Sequence, residues 1–152
     1  MTGQQEPATV ALFTSIPNGK VLAAVCAVNG IKGKVLETSA GAFAVLDDTS
    51  EGATAKAGQA ISTFVKTAPI LAMERRDGQI TVTQWEAGAS KGNLAPGFAL
   101  DQAPGVIVTL MTGSQTIEQI AETHPDKVFD ARMGRMKAVR ELRKLAKQAK
   151  RQ

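Results

Sequence analysis

At 152 residues the chain is long enough for one domain with a real core, and 43% apolar against 21% charged residues sets it among globular rather than disordered chains. Aromatics are 4%, with one Trp and no Tyr, so the core must be built from Ala, Val, Ile, Leu and Met, and a base-stacking platform for single strands is disfavoured. The net charge of +4 is unevenly spread: Asp126 to Gln152 holds ten Lys and Arg against three acids, whereas Met1 to Pro125 holds eight against eleven.

Met1 to Glu6 is polar and expected to fray. Thr9 to Ile16 is β-rich and predicts a strand, broken by Pro17-Asn18-Gly19. Lys20 to Val28 suits two structures. It fits a helix capped by Asn18 and stopped at Asn29-Gly30, or the second strand of a hairpin; its alanines favour the helix. Lys34 to Thr38 and Ala42 to Asp47 predict two strands joined across Ser39-Ala40-Gly41. Asp47-Asp48-Thr49-Ser50 has the short oxygen-bearing side chains that cap a helix, and Ala57, Ala60, Ile61, Phe64 and Val65 come after it at helical spacing between Glu51 and Lys66.

Ile70 to Trp85 carries the strongest local signal. Two β-rich runs flank Asp77-Gly78, a turn suited to the positive φ angles of a type I′ hairpin. That turn sets Arg76 opposite Gln79, Met73 opposite Val82 and Leu71 opposite Gln84, with Leu71, Met73, Ile80 and Val82 on a core face. Trp85, opposite Ile70, is expected to pack over the sheet end rather than stack on a ligand. Glu86 to Gly105 is rich in Gly and Pro and lacks a period. It predicts a long loop, pinned by Leu94, Phe98 and Leu100 and usable as a lid. Val106 to Met111 predicts a strand buried on both faces, and Gln115 to Thr123 a short helix with Ile117, Ile120 and Ala121 inward.

From Pro125 to Gln152 the pattern predicts one long helix, with Pro125 and Asp126 in its first turn. On a helical wheel Val128, Ala131, Ala138, Val139, Leu142, Leu145, Ala146 and Ala149 share a broad apolar face. Phe129, Met133 and Met136 add a second apolar stripe in the first half only. Lys137, Arg140, Arg143, Lys144, Lys147, Lys150 and Arg151 replace it in the second. Arg132 and Arg135 are left over to pair with acids of the body, and Gly134 sits mid-helix at a cost of about 1 kcal/mol relative to Ala. The expected organisation is a core domain over 1–124 and a basic amphipathic helix over 125–152, packed on the core by its first half.

Motifs for catalysis are sparse. Cys26 lies in an apolar run and reads as a small buried hydrophobe; His124, the only histidine, reads as a helix-entry residue. Gly19-Lys20 lacks the rest of a phosphate-binding loop, and no serine elbow, metal-ligand spacing or dinucleotide fingerprint occurs. Asp47, Asp48 and Glu51 suit capping better than cation binding. Gly30-Ile31-Lys32-Gly33, with AGAFAVLDD after a gap, is faintly similar to the GxxG loop of KH RNA-binding domains, which joins two helices and clamps a nucleotide backbone. Lys34 to Ala40 leaves little room for the second helix, so an ordinary basic turn is the better reading.

These features predict an α+β two-layer sandwich, ferredoxin-like or related, with a mainly antiparallel sheet and helices on one face. The expected function is that of a non-enzymatic binding protein whose basic C-terminal helix engages nucleic acid, a ribonucleoprotein or an acidic protein surface. It needs no cofactor or metal, does not span a membrane, and sits in the cytoplasm. The alternatives are an assembly protein that uses the helix as a subunit interface in a homo-oligomer, and an enzyme with residues 86–105 as a lid.

Overall fold

A computed structural model describes residues 8–66, 68–101 and 103–150, the last three by backbone alone. The expected fraying of Met1 to Glu6 therefore lies outside the described residues. Seven strands form one antiparallel sheet: β1 (Thr9–Phe13), β2 (Gly33–Thr38), β3 (Gly41–Leu46), β4 (Ile70–Arg76), β5 (Gln79–Glu86), β6 (Ala89–Leu94) and β7 (Val128–Asp130), in the order β6-β5-β4-β1-β3-β2-β7. The helices are α1 (Gly19–Val28), α2 (Ala53–Phe64), α3 (Pro96–Asp101), α4 (Gly105–Thr112), α5 (Ile117–Thr123) and α6 (Arg135–Lys150).

Alternation along the strands fills two cores. Val10 and Leu12 of β1, Val35, Ala44 and Ile70 meet Leu22, Val25 and Cys26 of α1 and Ala57 and Ile61 of α2 on one face. Ala11, Phe43, Met73 and Val82 meet Ile107, Leu110 and Met111 of α4 and Ile117 and Ile120 of α5 on the other. The sheet is thus covered on both faces, and the expected two-layer arrangement with helices on one face is corrected to helix layers above and below. Strands apolar on both sides need that cover.

Several predicted elements form as expected. Asn18 caps α1 by accepting from Lys20 and Val21 amides, and α1 is a helix. The turn after it runs directly into β2, so no second helix comes after the GxxG. The β4–β5 hairpin has the predicted register throughout, with Asp77 and Gly78 at φ 54° and 77°. Trp85 packs into the core beneath α2, where a Cβ on Gly58 would come 2.7 Å from the indole.

Four expectations are corrected. Val106 to Met111 is helical: Pro104 and Gly113 bracket α4, and Ile107, Leu110 and Met111 are buried at helical spacing despite the β-branched residues. Segment 86–105 is β6 and α3 rather than a lid loop. Ala87 (φ 49°) and Gly88 turn β5 into β6, and the buried Ser62 hydroxyl of α2 accepts from the Gly88 amide at 3.0 Å. Asp47 and Asp48 do not cap α2, whose N-cap is Gly52 without a side-chain hydrogen bond; Asp48 instead accepts from the Ser50 amide at 3.0 Å. The terminal segment is not one helix. Pro125–Lys127 is a single 3-10 turn, Val128–Asp130 pairs with β2, and α6 starts only after Gly134. Gly134 therefore breaks no helix; its carbonyl accepts from the Ala138 amide.

Helix α6 lies on the outer side of α1. Ala138 is fully buried against Ala24 and Ala27, with Val28, Met133 and Leu142 around them. Phe129 and Met133 are partly buried, as their stripe implies, but Met136 is 75% exposed. Replacing Ala138 with Leu should therefore force α6 off α1 at a cost of about 1–3 kcal/mol, whereas Met136→Ala should stay within about 0.5 kcal/mol. Urea denaturation measures both; equal costs would contradict this packing.

Candidate polyanion interface

The start of α6 is fastened at several points. β7 pairs with β2 through Val128, Phe129 and Asp130, and the Ala131 amide continues the ladder by donating to the Gly33 carbonyl at 2.9 Å. Arg132 then clamps the end of β3. Its Nε and Nη2 each donate to a different Asp47 carboxylate oxygen at 2.7 Å. Bidentate geometry of this kind fixes orientation as well as charge. The pairing of Arg132 with a body acid, left open by the sequence, is realised; Arg135 instead lies over Gly30, at the C-terminal end of α1, where a cation complements the helix dipole.

The docked face of α6 sets its outward face. Ala138, Leu142 and Leu145 are buried or half-buried. At 100° per residue Arg143, Lys147, Arg140 and Lys144 fall within an arc of roughly 100° centred opposite them, with Lys137 just beyond its edge. All five are exposed. Ion pairs form between Arg76 and Glu74, Lys127 and Glu37, Arg132 and Asp47, and Arg132 and Asp130, and none of these five takes part in one among the described residues. Helix α1, on which α6 rests, contains no acid. Among the described residues, no acid of the body pairs with this cationic face. Lys150 ends α6, but its side chain, like the whole of Arg151, lies outside the described residues.

One further cation joins this surface from elsewhere in the chain, beside Arg135 at the start of α6. Arg135 and Lys56 of α2 line one cleft of about 290 Å³ with Gly30, Ile31, Ala57 and Asp48. No linear pattern links Lys56 to α6, so the sequence alone could not reveal it.

The possible reactive groups are occupied elsewhere. Cys26 is buried in the core, and desolvation pushes its thiol up to about 12. His124 is exposed at the end of α5, on the opposite side of the sheet, with its Nδ1 2.9 Å from the Thr123 hydroxyl, so the two residues do not meet. Glu37, His124 and Lys127 border a cavity of about 250 Å³. Glu37, however, accepts from the Gly19 amide at 2.8 Å and pairs with Lys127 at 3.6 Å, which ties β2 to α1 and to the 3-10 turn. Among the described residues no three His, Cys, Asp or Glu gather to hold a metal, and no helix is long and apolar enough to cross a membrane. Comparison of the chain with protein-family models, curated proteins and solved structures yields no match.

The hydrogen bonds from Arg132 lower the pKa of Asp47 below the usual carboxylate value. A depressed carboxylate stabilises the fold above its unfolded pKa of about 3.9, and that contribution disappears as pH falls through the folded value. Both side chains are about two-fifths exposed, so it is worth less than about 1 kcal/mol. Asp47→Asn should be less stable than the parent at neutral pH by that small margin, and the gap in urea titrations should close as pH falls through the depressed value of the Asp47 carboxyl; a pH-independent gap would show that the charge is irrelevant. Separately, iodoacetamide at about pH 8.5 should leave Cys26 unmodified in the native protein and alkylate it in urea, and native alkylation at the free-thiol rate would contradict its burial.

Proposed function

We propose that the protein is a non-enzymatic accessory protein that binds nucleic acid, free or within a ribonucleoprotein, through the outward face of α6. The observation that carries this reading is the row Arg140, Arg143, Lys144 and Lys147, held opposite the docked face and paired with no acid among the described residues. Cations so placed neutralise phosphates and release counterions, a sequence-independent source of affinity. An acidic protein surface is the nearest rival. A subunit interface through α6 is disfavoured because two copies would face cation against cation, with Met136 and Val139 as the exposed large apolar side chains among the described residues of the helix. The cytoplasm suits this reading, since nucleic acid is found there and a lone cysteine can form no intramolecular disulfide. The order β4-β1-β3-β2, with α1 and α2 on one face, supports a ferredoxin-like reading of the central strands, extended by β5 and β6 at one edge and β7 at the other.

Fluorescence anisotropy with labelled mixed-sequence nucleic acid at low salt tests the proposal. The parent should bind, and the combined variant Arg140→Gln, Arg143→Gln, Lys144→Gln, Lys147→Gln should lose at least tenfold in affinity while keeping its circular dichroism and Tm, because all four side chains are exposed. Undetectable binding by the parent, unchanged binding by the variant, or equally tight binding of polyglutamate would overturn it.

A further inference from the structure

We infer that the α6 surface is built for the phosphate ridges of a nucleic-acid duplex and is indifferent to base sequence. This inference rests on the nucleic-acid reading above and narrows it to a class of ligand.

Three observations carry it. First, the outward arc of α6 carries cations and, at its start, the aliphatic Met136, with no Asn, Gln or aromatic side chain there among the described residues. An arginine can pair with a guanine edge, but cations spread along one exposed helix face meet phosphates without needing any particular base, and contacts to phosphate position a protein without specifying sequence.

Second, there is no platform for unpaired bases. Single strands are held by successive bases stacked on aromatic rings beside a basic groove. Here Trp85 is packed under Gly58, and Phe43 is fully buried. The exposed rings, Phe64 and Phe98, sit on α2 and α3, which cover opposite faces of the sheet, so no run of rings lies beside the cations.

Third, the cations leave the backbone at regular steps along one helix. Arg140–Lys144 and Arg143–Lys147 are two i,i+4 rows, each with an axial step of about 6 Å, spanning about 10 Å along a helix pinned to α1. Arg135, in the first turn of α6, and Lys56 line a cleft at that end of the helix, where the carboxylate of Asp48 also sits. Regular steps of this kind suit the fixed phosphate spacing and high charge density of a duplex. A flexible single strand gains less from them, because it must be ordered on binding and here finds no rings to compensate.

Competition anisotropy with the full chain distinguishes the outcomes. The probes are a mixed-sequence DNA duplex, the same duplex with permuted sequence, an RNA duplex, and oligo(dT) of equal length. Both DNA duplexes should bind within twofold of each other and at least fivefold more tightly than oligo(dT). With about four phosphate contacts, the log–log salt slope should be near −3.6, or roughly a hundredfold loss between 50 and 200 mM salt. Binding of the RNA duplex as tightly as DNA assigns the site to phosphate ridges in general, and tighter DNA binding assigns it to B-form spacing; each supports the inference. Oligo(dT) binding as tightly as duplex, or a tenfold change on permuting the sequence, would overturn the inference while leaving nucleic-acid binding intact. Failure of every probe would overturn the nucleic-acid reading itself.

Discussion

The contact on which the rest of the molecule depends is the alanine-lined seam between α1 and α6. Ala24 and Ala27 present almost no side chain on the outer side of α1, and Ala138 meets them fully buried. Small residues let two helix surfaces approach closely, so the seam is shaped by what is missing as much as by what fills it. Helix α1 thereby becomes an inner layer. Leu22, Val25 and Cys26 face the sheet, Ala24 and Ala27 face α6, and no polar side chain of the helix needs a partner in either interface. Once one face of α6 is committed to this seam, helical geometry leaves Arg140, Arg143, Lys144 and Lys147 nowhere to go but outward.

The seam is supported by the segment that delivers the chain to it. β7 adds an edge to the sheet, Ala131 enters the core, and Arg132 fastens to Asp47. Nearby, Glu37 holds the first amide of α1 and the ammonium of Lys127, and Phe129 packs so near Gly19 that a Cβ there would come within 2.5 Å of the ring. Most polar groups that might suggest chemistry are thus used as ties. What remains exposed on α6 without an ion-pair partner, among the described residues, is cationic charge.

Local signals carried much of the fold. Asp77-Gly78 specifies a hairpin register by itself, and Asn18 specifies a helix start, because in each case the deciding interaction lies within a few residues. The failures share the opposite property. Val106 to Met111 reads as a strand by composition; only its burial against Phe43 and Met73, with Pro104 and Gly113 as stops, makes it a helix. Val128 to Asp130 shares the helical pattern of residues 135–150, yet becomes a strand because the edge of β2 is open to pair with it. Ala87 at positive φ is an unfavourable turn residue, so the β5–β6 turn had no clear marker. In the candidate site, the split between a docked and an offered side of the last helix was readable by angle. The absence of compensating acids, and the arrival of Lys56 from α2, depend on packing and were not.

The most direct test is lysine footprinting by amine acylation, read residue by residue by mass spectrometry, with and without saturating mixed-sequence duplex. Lys144 and Lys147, with Lys137 at the edge of their arc, should lose reactivity in the complex, while Lys91 on the exposed strand β6 stays as reactive as in the free protein. Protection of Lys91 with none at Lys144 and Lys147, or no protection anywhere in a complex shown to form, would contradict the assignment of α6 as the binding face.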